Sequence, residues 1–247
     1  MGRSAFYDTY DDNPTRDNVT TVIIPEGLEI IYAGAFSYMK NLKSVSLPES
    51  LKVIRQGAFQ GCTSLEDIVL PEGLTTLGEG DYYGHVFSDC TSLKSIKIPE
   101  GIDEIAGYTF YGCTSLEEVT FHDGLKYIRQ NAFGGCSSLE HIDLPESIES
   151  IENGAFGKCE SLKDIVLPNK ITIIESRTFY ECFNLSSVYI PDGVTEIGQS
   201  AFEYCFNLTT INIPDSVTVV AHDAFDSCYS LSQEAQRRLY EIRNNSD

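Results

Sequence analysis

The sequence predicts an α/β repeat solenoid, a coil of short strands and turns that is closed by one helix. Three observations support this prediction: a period of 23 residues, seven sequence columns that recur in register, and one helical pattern at the carboxyl end. A fixed period of this length indicates units that stack only on their neighbours. The 247 residues are therefore expected to form one elongated domain.

A phenylalanine sets the period. Each follows the previous one by 23 residues, apart from one step of 28: Phe36, Phe59, Phe87, Phe110, Phe133, Phe156, Phe179, Phe202 and Phe225. A cysteine lies three residues after every Phe except the first, where Met39 takes its place, and a leucine lies six residues after all of them. A half-unit, Val19 to Pro25, precedes the first Phe in the same phase.

Each unit is predicted to have three sides. Eight to eleven residues after the Phe, outward and inward residues alternate, as in Asp164 to Leu167, which predicts a half-buried strand. A Pro usually ends this strand because it has no amide hydrogen for the ladder, although the fourth unit has His122 there. Pro-Glu-Gly or Pro-Asp-Gly then predicts a turn in which Gly permits φ > 0. A second extended side follows, as in Leu51 to Ile54, and the side from Ala-Phe to Cys predicts a short helical turn.

These columns resemble the BspA-like class of leucine-rich repeat, whose motif is roughly L-x-x-I-x-I-P-x-x-L-x-x-I-G-x-x-A-F-x-x-C. The resemblance covers residues 19–231 and departs from the motif at His122 and at a five-residue insertion within Gly80 to His85. It implies a right-handed leucine-rich-repeat superhelix with a parallel β-sheet on the concave face. It also implies a bacterial or protist adhesin-like protein, on the cell surface or secreted. The sequence contains no charged and then apolar leader, so this localisation rests on the resemblance, as for an excised domain.

The two ends of the coil are expected to be capped. At the carboxyl end, Ser232 is a candidate N-cap, and Ala235, Leu239 and Ile242 share one face at helical spacing, which predicts a helix over 232–243. The predicted organisation is a polar, acidic segment or cap at 1–18, the solenoid at 19–231, and the capping helix with its tail at 232–247.

The eight cysteines all belong to one column. Neighbouring units would bring their α-carbons within about 5 Å, which would permit disulfides. A column that accepts Met39 is apolar, however, so we expect free, buried thiols. No Cys-x-x-Cys or His-x-x-x-His pattern occurs, and we predict no metal site and no cofactor.

Charge and motif content argue against several functions. With 17 basic and 37 acidic residues, the net charge of −20 disfavours nucleic acid and anionic lipid. No stretch is long and apolar enough to predict membrane insertion. The four histidines lie in different units without a nucleophile in a recognised arrangement, and no phosphate-binding glycine loop occurs, so we predict no enzyme activity. We expect a monomer.

Candidate binding residues are those that vary while the inward columns stay apolar. On the predicted strand face, five of them form a central patch suited to a peptide or protein loop: Glu118, His141, Asp143, Asp164 and Tyr189. Tyr82 and Tyr83, in the insertion, are amphipathic rings of a kind favoured in interfaces. An alternative aromatic patch consists of Phe183, Phe206 and Tyr229, which either packs under the terminal helix or binds a partner. Neutral variation of a solvated face and of a loop is the competing explanation.

The sequence therefore predicts a non-catalytic protein–protein recognition module. It would belong to a cell-surface or secreted adhesin-like protein and would bind a protein or peptide on its concave face. The alternative is a structural spacer or an intracellular scaffold that holds other domains apart.

Overall fold

Two ladders of short parallel strands run along the molecule. The computed structural model describes residues 18–78 and 84–245. Each strand pairs with the corresponding strand of a neighbouring unit, and the register follows the sequence period: Thr21 pairs with Ser44, and Asp164 pairs with Ser187. The predicted solenoid of parallel strands is confirmed.

The first ladder uses the positions eight to eleven residues after the Phe of a unit, and it begins in the half-unit before Phe36. Its strands are β1 (Thr21–Ile23), β3 (Ser44–Ser46), β5 (Asp67–Ile68), β7 (Ser95–Lys97), β9 (Glu118–Thr120), β12 (Asp164–Val166), β14 (Ser187–Tyr189) and β16 (Thr210–Ile211). The second ladder follows the turn. Its strands are β2 (Ile30–Ile31), β4 (Val53–Ile54), β6 (Thr76–Leu77), β8 (Glu104–Ile105), β10 (Tyr127–Ile128), β11 (Ser150–Ile151), β13 (Ile173–Ile174), β15 (Glu196–Ile197) and β17 (Val219–Val220).

The turn between the two ladders is a β-turn, as predicted. The Leu51 N–H donates to the Pro48 carbonyl at 3.1 Å, and the same bond recurs in the later units. The expectation that its Gly provides positive φ holds at Gly27, with φ of 91°, but not at Gly101. At Gly101 the reason for glycine is a close approach, because a Cβ would lie 2.3 Å from the Leu74 carbonyl oxygen.

The third side is not the helical turn that the sequence predicts. Residues two before and two after the Phe have positive φ in unit after unit, for example Asn131 at 50° and Lys158 at 63°. This left-handed conformation interrupts a helix. Successive amides therefore alternate between acceptors in the next unit and in their own unit. The Phe36 N–H donates to the Ala58 carbonyl of the next unit at 2.8 Å, whereas the Ser37 N–H donates to the Gly34 carbonyl of its own unit at 3.1 Å.

The core is a continuous stack of phenylalanine rings. Neighbouring rings are nearly parallel, with centroids 5.0 to 5.9 Å apart from Phe36 through to Phe225. The seven rings from Phe59 to Phe202 are completely buried. Each unit thus contributes one layer of an apolar column and depends on its neighbours for burial.

All eight cysteines are free and buried, as predicted. Each thiol donates to the Phe carbonyl of the preceding unit, for example Cys136 to Phe110 and Cys159 to Phe133, both at 3.3 Å. In the first unit, Met39 occupies this position. The column therefore selects a weak hydrogen-bond donor as well as an apolar side chain.

The predicted terminal helix is present as α1 (Gln233–Asn245). The Ser232 hydroxyl accepts from the Ala235 N–H at 3.2 Å, which is an N-cap bond. Ala235, Leu239 and Ile242 are buried, and α1 packs on β17, so the helix covers the last unit. The proposed cap at the amino end lies outside the described residues, apart from Asn18.

Candidate functional site

The outward side chains of the first ladder form what we call the strand face. Glu118, His141, Asp143, Asp164 and Tyr189 are all exposed on it, in four consecutive units. The alternation of each strand fixes this placement, because Val119, Ile142 and Ile165 between them are buried. Tyr82 and Tyr83 lie outside the described residues.

The strand face is interrupted at its centre. The first ladder consists of three sheets, β1-β3-β5, β7-β9 and β12-β14-β16. His141 to Asp143 occupy a strand position in the sequence but are not a strand, and within the described residues no backbone hydrogen bond joins them to Glu118–Thr120. The second ladder continues past this level, since β10 pairs with both β8 and β11. The coil is therefore opened on one side only.

The opening is a cleft of about 760 Å³. Its walls come from the fourth unit, with Glu117, Glu118 and Phe121, and from the fifth unit, with His141 and Asp143. This volume falls in the range of ligand-binding clefts. Three of the five residues predicted on the strand face thus line one cavity.

The sequence of the fourth unit accounts for the opening. Phe121 occupies an inward column that is otherwise Leu or Ile, and its ring packs edge-on against Phe133 with centroids 5.9 Å apart. His122 replaces the usual Pro, accepts from the Gly124 N–H at 3.0 Å and donates through Nε2 to the Ile102 carbonyl at 2.8 Å. Both residues are partly exposed, and so is Leu144 across the cleft.

Charge in the cleft is mostly negative and partly uncompensated. His141 Nδ1 lies 3.0 Å from a carboxylate oxygen of Asp164, so these two predicted residues form a pair. The carboxylates of Glu118 and Asp143, in contrast, have no ion-pair or hydrogen-bond partner among the described residues. Lys94 is the single basic side chain in the lining, apart from the histidine.

A second pair flanks the cleft. The Lys163 ammonium donates to Glu140, and this hydrogen bond lowers the pKa of the Glu140 carboxyl. Glu140 is therefore already neutralised by the protein itself. The cleft carboxylates of Glu118 and Asp143, in contrast, have no lysine partner of this kind among the described residues.

Tyr189 lies on the strand face but not in the cleft lining. It is 48% exposed and pairs in register with Val166, which is 60% exposed. Two further apolar side chains, Ile23 and Val69, are exposed at the other end and flank a second concavity of about 540 Å³. Val69 and Val166 are not among the predicted binding residues, although their apolar character in an outward column was the available signal.

The aromatic patch on the third side is formed, and the terminal helix does not cover it. Phe183 and Phe206 stack at 5.4 Å, Phe206 and Tyr229 stack at 6.1 Å, and Tyr229 is 79% exposed. In the second to fifth units this column carries hydroxyls that bond the preceding unit, as Thr114 does with the Thr91 carbonyl at 3.4 Å. Rings in place of hydroxyls create an exposed apolar stripe.

Carboxylates border this stripe. A hydrogen bond with Glu181 is the main cause that raises the pKa of Tyr180 to about 12. The charge of Glu203 raises the pKa of Tyr204. Arg177 places its guanidinium 5.9 Å from the centre of the Tyr180 ring, so a cation of the protein itself already contacts this tyrosine.

Within residues 18–78 and 84–245, no group of three or more His, Cys, Asp or Glu side chains is arranged to hold a metal ion. In the same part of the chain, no helix has the length and hydropathy needed to cross a bilayer.

Comparison with known families fits this architecture. A model of the BspA type leucine rich repeat region matches residues 14–128 and 103–232, in six copies. The chain belongs to this family. Its members are generally binding domains, and leucine-rich repeat proteins generally bind other proteins. No curated protein sequence matches the chain.

Solved structures of bacterial leucine-rich repeat proteins are similar to the chain. One from Eubacterium ventriosum is 17% identical, with a TM-score of 0.54, over 89% of this chain and 79% of that one, and it supports the fold. One from T. pallidum is 29% identical over 91% and 83%, with a TM-score of 0.47. A leucine rich cell surface protein from Faecalibacterium prausnitzii is 24% identical over 86% and 78%, with a TM-score of 0.45.

Proposed function

We propose that this BspA type repeat domain is a non-catalytic recognition module that binds a protein or peptide on its strand face. The observation that supports this most directly is the cleft beside β9, where the exposed carboxylates of Glu118 and Asp143 are unpaired. A partner could form an ion pair with either carboxylate without breaking an ion pair within the protein. A partner with a basic segment fits this charge.

We further propose that the coil is right-handed, that the strand face lies on the concave side, and that the domain acts as a monomer within a cell-surface or secreted adhesin-like protein. Family membership supports these points, as does the description of the Faecalibacterium relative as a cell surface protein. A domain that recognises other proteins uses the varying outward columns, because the inward ones are fixed by packing.

The test is a double variant on the strand face. Once a partner has been captured with the purified domain, Tyr189→Ala with Asp143→Ala should weaken its affinity more than about tenfold, or 1.4 kcal/mol. Both side chains are exposed, so the thermal midpoint should not change. Binding should also weaken with added salt, since exposed charges are screened.

The aromatic stripe supplies the matched control. Phe183→Ala with Phe206→Ala removes two rings from another face and should leave affinity unchanged. If this second variant loses the partner while the first retains it, the strand face is the wrong surface and the stripe is the site.

A further inference from the structure

The cleft beside β9 exposes backbone as well as side chains. In the sixth unit, the Leu167 N–H donates to the Tyr189 carbonyl at 3.0 Å, and the Lys163 carbonyl accepts from the Ser186 N–H at 2.8 Å. The same two positions in the fourth unit are the Phe121 N–H and the Glu117 carbonyl. Neither makes its bond to the next unit, because the ladder is interrupted there.

The opposite edge of β9 is fully engaged. The Ile98 N–H donates to the Thr120 carbonyl at 2.9 Å, and the Glu117 N–H donates to the Lys94 carbonyl at 2.8 Å. Because backbone groups alternate in direction along a strand, Val119 directs its N–H and its carbonyl to the open side. β9 is therefore held in strand geometry with one paired edge and one open edge.

An open strand edge is a template for another strand. Proteins use such edges to bind extended peptides, in which main-chain hydrogen bonds give affinity and side chains give specificity. We infer that the cleft binds an extended, lysine- or arginine-bearing peptide segment that pairs with the open edge of β9. This inference rests on the proposed function and names the class of partner and its mode of binding.

Charge and volume support this occupant. Glu117, Glu118 and Asp143 face one basic side chain, Lys94, apart from the histidine, and the net charge of the protein is −20. A second copy of this chain would bring the same excess of carboxylates to the cleft, which disfavours self-association at this edge. The volume of about 760 Å³ is enough for a few residues of an extended chain.

Amide hydrogen exchange tests the pairing directly. In the free protein, the Val119 and Phe121 amides should exchange at least tenfold faster than Ile165 and Leu167, which hold the same positions in the paired sixth unit. The probe is a capped six-residue peptide of alternating lysine and valine. It should slow exchange at Val119 and Phe121 at least tenfold and leave Ile165 unchanged.

A matched peptide separates backbone pairing from charge attraction. The same probe with alternate amides N-methylated keeps its charge but loses the hydrogen-bond donors of one edge. Two methylated peptides, one for each edge of the probe, cover both ways in which it could pair. At least one of them should bind at least tenfold more weakly than the unmethylated probe and should not slow exchange of the Val119 amide. Equal binding of all peptide forms would overturn the inference. Slow exchange of the Val119 amide in the free protein would also overturn it, and so would protection of that amide that rises with protein concentration when no peptide is present.

Two variants test the cause of the opening and the role of charge. Phe121→Ile with His122→Pro restores the residues of other units, so it should join the fourth and fifth units, protect Val119 without peptide and abolish probe binding. Glu118→Gln with Asp143→Asn leaves the edge open and should weaken the probe at least fivefold. Probe binding that survives both variants unchanged would overturn the inference.

The failure of this inference can be told from the failure of the proposed function. A natural partner that depends on Asp143 and Tyr189 but leaves exchange at Val119 unchanged would overturn strand addition and leave recognition on the strand face intact. A natural partner that is indifferent to Asp143 and Tyr189 would instead overturn the proposed function.

Discussion

Replacing Phe133 by alanine should lower the free energy of unfolding by about 3–5 kcal/mol. The ring is completely buried and stacks between Phe110 at 5.3 Å and Phe156 at 5.6 Å, with Phe121 edge-on at 5.9 Å. Burial of such a side chain contributes about 1.5–3 kcal/mol. Three ring pairs contribute about 0.5–1.5 kcal/mol each before the neighbours relax into the space.

Phe225→Ala is the matched control. Among the described residues that ring stacks on Phe202 alone, at 5.0 Å, and it is slightly exposed, so its loss should cost about 1–2 kcal/mol less. Equilibrium unfolding in urea measures both variants. The central variant should also broaden the transition, because a defect between two sets of stacked units weakens their coupling.

Two results would refute the reasoning. A loss below about 1 kcal/mol for Phe133→Ala would mean that the Phe column is not the core that the stack implies. Equal losses at Phe133 and Phe225 would mean that stacking neighbours do not determine the contribution of a ring.

Three further predictions concern the thiols and the backbone. A thiol reagent should detect almost no reactive groups in the native protein and eight after denaturation, and a shortfall after denaturation would indicate disulfides. Burial raises the pKa of the six thiols from Cys90 to Cys205, to about 12 at Cys159, so the folded state keeps protons that the unfolded state releases. The contribution of the thiols to the free energy of unfolding should be complete below about pH 9 and should fall as the pH rises toward 12. Thermal unfolding at a series of pH values measures this, and a midpoint that does not change over this range would contradict buried thiols. Lys158→Gly should raise the free energy of unfolding by about 1 kcal/mol because the φ of Lys158 is 63°. Lys126→Gly, at a residue without positive φ, should lower it by about 0.5–1 kcal/mol. A loss of stability in both variants would show that the left-handed position carries no strain.

The repeat made the core predictable. One Phe per unit with an invariant Leu six residues later fixes which side chains are inward, and Phe133, Cys136 and Leu139 are all completely buried. The conformation of the third side was not predicted, because Lys158, Arg177 and Ser200 are not residues that indicate positive φ. Glycines at the same positions in other units, such as Gly57 and Gly61, were the signal.

The candidate site was predicted as a list of residues and not as a shape. Outward columns identify Glu118, His141 and Asp143 from alternation alone. The cleft between them depends on Phe121, which occupies an inward column and so looks like one more apolar residue. His122 in place of Pro marks this unit in the sequence, but the packing of the Phe121 ring and the bonds of His122 can be seen only in the structure.

The bond from each thiol to the preceding Phe carbonyl gives the coil a direction. Every unit after the first has a thiol that donates to the unit before it, and the last unit offers, through the Phe225 carbonyl, an acceptor that no thiol uses among the described residues. A whole unit copied into the interior would therefore bring its own thiol to donate to the Phe carbonyl of the unit before it. Its own Phe carbonyl would in turn accept from the thiol of the unit after it. Gene duplication in steps of 23 residues can thus lengthen the strand face, or shift the opening at β9 along it, while every inward column keeps its composition.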